Sequence, residues 1–116
     1  DWPGYFKSLE AGDYHLAACA YVGETLDPGP FVGLFAKGGV IGWSSDEVDG
    51  LLAASTVERD RAKRLAMLSK AEAIVIEVGA ALPLGHPVGA VLARAKVKGL
   101  AGNPFDRFLL QHLKVE

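Results

Sequence analysis

The side chains here that could do chemistry are three histidines, one cysteine and a scatter of serines and carboxylates. His15, His86 and His112 lie far apart, with no H-x-x-H, H-E-x-x-H or C-x-x-C spacing to gather a metal, so they read as turn or surface residues. Cys19 cannot make an internal disulfide; inside an apolar run it reads as inert, buried packing. Gly42-Trp43-Ser44-Ser45 approaches a nucleophile elbow but lacks the closing glycine. The glycine-rich run Gly33 to Gly39 lacks the Gly-Lys-Ser/Thr that would reach phosphate and magnesium. Asp46, Glu47 and Asp49 gather at an expected helix start, where acids complement the helix dipole. These readings give no catalytic residue, no metal site and no cofactor, and the chain is read as a non-enzyme.

The elements that must position these groups follow from periodicity and punctuation. Residues 3–11 read as a helix: Pro3 suits a first turn, Tyr5, Phe6 and Leu9 share a face, and Gly12 is a stop. Residues 14–22, apolar on both sides, read as a strand covered on two faces. Asp27-Pro28-Gly29-Pro30 is a rigid turn, followed by a short helix over 31–36. Ser44 with Glu47, and Ser55 with Glu58, each have capping-box spacing. The first opens a helix carrying Val48, Leu51 and Leu52. The second opens the longest helix, over 57–78, with Met67, Ala71, Ile74 and Val78 as its apolar stripe and Leu68 and Val75 beside it. Residues 81–84 and 89–96 are strand candidates, and Phe105, Phe108, Leu109 and Leu113 form a last amphipathic piece. The expected class is α/β.

Bulk composition narrows the partners. The chain has 116 residues, 50% hydrophobic and 22% charged, with formal net charge −2. That is one globular domain's worth of chain. Arg59 to Lys70 holds a mild basic cluster, but Glu58, Asp60 and Glu72 interleave with it, so it reads as a solvated helix face. Nucleic acid is not an expected partner. No run of about 18 or more apolar residues is present to span a membrane. The start at Asp1-Trp2-Pro3 carries no signal-peptide features, which reads as a processed form or a fragment.

A set of short motifs, in order along the chain, resembles the C-terminal region of extracellular solute-binding protein family 5, the peptide/nickel type of ABC-transporter binding protein. Gly12-Asp13-Tyr14-His15 matches the family's Gly-Asp-(Tyr/Phe)-Asp. Ala20-Tyr21-Val22-Gly23-Glu24-Thr25-Leu26-Asp27-Pro28 matches its Gly-Trp-x-x-Asp-x-x-Asp-Pro. Gly42-Trp43-Ser44-Ser45-Asp46-Glu47-Val48-Asp49-Gly50-Leu51-Leu52 matches Gly-(Tyr/Trp)-x-Asn-x-Glu-Val-Asp-x-Leu-Leu. Lys63-Arg64 with Met67 to Val75, then Leu82-Pro83-Leu84, Val97-Lys98-Gly99-Leu100 and Asn103-Pro104, complete the series.

The resemblance implies a C-terminal lobe portion of a type II periplasmic-binding-protein fold. Residues 1–95 would belong to the ligand-binding lobe. Residues 96–116 would be a tail returning across a hinge to an N-terminal lobe absent from this sequence, and the chain would be a C-terminal fragment. It implies a periplasmic or otherwise extracytoplasmic protein that captures an oligopeptide- or dipeptide-like solute and delivers it to an ABC permease. Tyr21 stands where the family has a pocket-walling Trp. Glu24 stands where it has an acid that can pair with a ligand's amino group. These departures, with Thr25-Leu26 for an aromatic-Pro pair, fall at the pocket. A non-peptide solute (a metal complex, a sugar or an opine) and the ligand-sensing domain of a regulator stay open as alternatives. A small enzyme and an interaction module without a small ligand are further rivals.

Overall fold

The computed structural model describes residues 1–86, 88–100, 102 and 110–116. The chain divides into two compact units: residues 1–23 with 27–83, and residues 24–26 with 84–116.

In the first unit α1 runs Trp2–Ala11, capped by the Asp1 carboxylate, which accepts from the Gly4 amide at 2.8 Å. It ends as the sequence predicts. Gly12 takes the left-handed conformation, φ 68°, which glycine reaches without a Cβ penalty, and its amide closes on the last turn. The short α2 is Gly29–Gly33, α3 is Asp46–Val57 and α4 is Arg61–Glu77. The three-residue link between α3 and α4 makes them a helical hairpin, and the two pack along their length.

The core lies on that hairpin. Val32 of α2, Val48 of α3, and Ala71 and Val75 of α4 are buried together, with Phe35, Trp43, Leu51, Leu52 and Ile74 packed around them. Leu68 is buried as well. The α4 stripe therefore centres on Leu68, Ala71 and Val75, at spacings of three and four, with Met67 and Ile74 half-buried at its edges. Val78, expected in the stripe, is exposed beyond the last turn.

Both expected capping boxes are replaced by other caps. The N-cap of α3 is Ser45, without a side-chain bond, and Glu47 instead pairs with Lys70 of α4 at 2.8 Å. Ser55 lies inside α3, where its buried hydroxyl donates to the Leu52 carbonyl at 2.8 Å. The longest helix begins at Arg61, not 57, because Asp60 caps it by accepting from the Lys63 amide at 3.0 Å. Glu58 accepts from the Asp60 amide at 2.8 Å and so stabilises the cap from outside the helix.

Residues 14–22 are irregular, not a strand. Tyrosine hydroxyls fasten this region: Tyr5 donates to the Ala18 carbonyl at 3.2 Å and Tyr14 to the Ile41 carbonyl at 2.8 Å. Cys19, expected inside, is exposed. The described parts of 81–84 and 89–96 likewise form no ladder. A strand needs a neighbour to accept its backbone bonds, and among the described residues only the last residue of these segments finds one: the Lys96 carbonyl accepts from the Glu116 amide at 3.0 Å, beside the two-residue ladder of the second unit.

In the second unit, β1 (Val97–Lys98) and β2 (Lys114–Val115) pair antiparallel, Val97 facing Val115 and Lys98 facing Lys114. A 3₁₀ turn at Leu110–His112 precedes β2. Phe105, Phe108 and Leu109 of the expected last amphipathic piece, together with Asn103-Pro104, lie outside the described residues. Among the described residues no helix is long and apolar enough to cross a membrane.

Candidate functional site

The segment that carries the sequence-expected ligand contacts ends in a side-chain clamp. Asp27 precedes Pro28, which bends the chain into α2, and the Asp27 carboxylate folds forward to accept from the Gly29 amide at 2.8 Å. The same carboxylate meets Arg64, in the first turn of α4, in a two-pronged pair. Nη1 donates to Oδ2 at 2.6 Å and Nη2 to Oδ1 at 2.8 Å. The third guanidinium edge is used too: Nε donates to the Ser55 carbonyl at 3.2 Å. One arginine thus joins the last turn of α3, the first turn of α4 and the start of α2. The planar fork matches a carboxylate's geometry, which a lysine ammonium would not do.

The pair is half-buried, with 28% of the Arg64 side chain and 38% of Asp27 exposed. The hydrogen bonds from Arg64, then that from the Gly29 amide, hold the Asp27 carboxyl below its ordinary pKa, and partial desolvation opposes them. The pKa of Arg64 is pushed upward by its own hydrogen bonds to Asp27.

Tyr21 is 41% exposed. Its ring stands edge-on to Phe31 of α2, centroids 5.0 Å apart and planes at 86°, the arrangement in which a positive ring edge meets a negative face. Phe35 and Trp43 form a second edge-on pair, 6.5 Å apart, against the core. Tyr21 therefore offers an aromatic surface backed by a second ring. Glu24 is exposed and belongs to the second unit, whereas Tyr21 belongs to the first.

The residue that sequence reading missed is Arg64. The cluster from Arg59 to Lys70 reads from sequence as a solvated helix face, and Arg59, Arg61, Lys63 and Lys70 are exposed; within it Arg64 departs, turning to Asp27. Asp27 was legible as a turn residue, but nothing local names a partner 37 positions away. Among the described residues, no three His, Cys, Asp or Glu side chains gather into a metal-holding group.

No family model matches the chain. It is similar to the oligopeptide-binding protein OppA of Bacillus subtilis (strain 168), with 36% identity over 81 residues, a stretch covering 66% of this chain and 15% of that protein. The chain thus spans a small part of the length of the relative it matches.

Proposed function

We propose that the chain is part of the substrate-binding component of an ABC importer, of extracellular solute-binding protein family 5, and that its solute is an oligopeptide. The similarity to an oligopeptide-binding protein over 81 residues carries this reading. The ordered motifs from Gly12 to Leu100 support it. In this reading residues 1–95 belong to the C-terminal lobe of a type II periplasmic-binding-protein fold and residues 96–116 are the hinge-crossing tail. Further polypeptide supplies the other lobe, and a membrane permease receives the solute on the extracytoplasmic side.

Tyr21 presents its exposed ring to the solute, with Phe31 behind it. A flat aromatic wall accepts many side chains, because it offers dispersion contact without directional demands. Glu24 pairs with the peptide's free amino group. When the lobes close, water leaves and the local dielectric falls, so that pair strengthens. The chain's part is binding, with no bond made or broken in the solute.

The test is a calorimetric titration of the full-length protein with tetraalanine and with the same peptide acetylated at its amino end. Saturable binding of the first and markedly weaker binding of the second supports the reading. A folded protein that binds neither overturns it.

A further inference from the structure

Asp27 stands between the segment that carries Tyr21 and the helix that carries Phe31, and its carboxylate is held by three hydrogen bonds. Both oxygens are taken by the Arg64 fork, and Oδ1 also holds the Gly29 amide. Helix α2 has only five residues and no side-chain cap at Pro28. Such a helix is unstable alone and depends on what holds its first turn. Burial of Val32 in the core anchors the helix body, and the Asp27 carboxylate holds its first turn. Phe31 lies in this turn, and Tyr21 rests edge-on against it. On its other side Arg64 is fixed to the Ser55 carbonyl and to the α3–α4 hairpin, where the buried core lies.

We propose that Arg64 is a positioning residue for the Tyr21 ring, acting through Asp27, Gly29 and Phe31; its consequence for ligand affinity rests on the solute-binding reading above. The fork sets the plane of the carboxylate. The carboxylate sets where α2 begins. The start of α2 sets where Phe31 stands and which way the Tyr21 face is turned. A lysine at 64 keeps the charge but loses the plane. Position 29 gives a second handle. A Cβ there would lie 2.8 Å from Asp27 Oδ1 and 3.4 Å from Arg64 Nη2, so Gly29→Ala presses on the clamp without changing any charge.

The experiment places 3-fluorotyrosine at position 21 of the full-length protein and records its fluorine resonance in wild type, Arg64→Lys, Arg64→Gln and Gly29→Ala. Circular dichroism establishes that each is folded. The label shifts in every folded clamp variant, without any ligand present. Affinity for tetraalanine falls about tenfold in Arg64→Lys, and by less than about twofold when Tyr21→Ala is already present, because coupled residues are not additive. A label unmoved in a folded Arg64→Lys or Gly29→Ala protein overturns the proposal. So does equal peptide affinity in wild type and Arg64→Lys. A label that moves in a protein that binds no peptide leaves the positioning role standing and removes the peptide reading alone.

Discussion

Arg64 Nη1 lies 2.6 Å from Asp27 Oδ2, across 37 positions of sequence, and so ties the turn before α2 to the hairpin that holds the core. The pair makes stability depend on pH in one direction. Asp27's folded pKa is depressed below its ordinary value near 3.8, first by Arg64 and then by the Gly29 amide. A depressed folded value gives stability that is fully present above the unfolded pKa and lost as pH falls through the folded one. The melting midpoint of wild type should therefore exceed that of Asp27→Asn by a few degrees at pH 7. The gap should close as pH falls below about 4. A gap that widens in acid would contradict the assignment.

The core makes a sharper demand. Leu68 is 1% exposed and Ala71 is fully buried. Leu68→Ala should cost about 2–5 kcal/mol in urea unfolding, through lost transfer energy and the cavity left behind. Ala71→Leu should cost about 1–3 kcal/mol by overpacking. Val78→Ala, at an exposed position that the sequence stripe marked as core, should cost far less than either.

The Glu47–Lys70 pair links α3 and α4 at 2.8 Å, but more than half of each side chain is exposed. Lys70→Ala should change stability by only about 0–1 kcal/mol. Any loss should shrink further in high salt, which screens exposed charges.

At the proposed ligand face, Glu24→Gln should weaken binding of free-amine tetraalanine about tenfold or more, the size expected for a charged hydrogen bond. It should leave the acetylated peptide nearly unaffected. Tyr21→Ala should weaken both peptides alike, since a ring wall does not read the amino end. Titration calorimetry of the four combinations separates the two roles.

What the sequence made legible was local. Pro3 and Gly12 bracket α1 as expected, and the spacing of Val48, Leu51 and Leu52 marked the buried face of α3. Caps were harder. Ser55 and Glu58 have the spacing of a capping box, yet Asp60, two residues on, competes for the same task and wins by bonding the Lys63 amide. Strands were not legible, because a strand is defined by its neighbour. Residues 14–22 have a strand's apolar content, and no described ladder beside them. The Asp27–Arg64 clamp was invisible for the same reason: it is a long-range contact between two residues whose local surroundings suggest a turn and a solvated face. Of the candidate site, the Tyr21 and Glu24 positions came from resemblance, and the Phe31 ring behind Tyr21 from the structure.

The most direct test of the central claim is a titration of the full-length protein with tetraalanine, with wild type and Tyr21→Ala in parallel. Saturable one-site binding by wild type, weakened about tenfold or more in a folded Tyr21→Ala protein, is the expected result. A folded wild type that gives no binding, or a Tyr21→Ala protein that binds as tightly as wild type, would contradict the account.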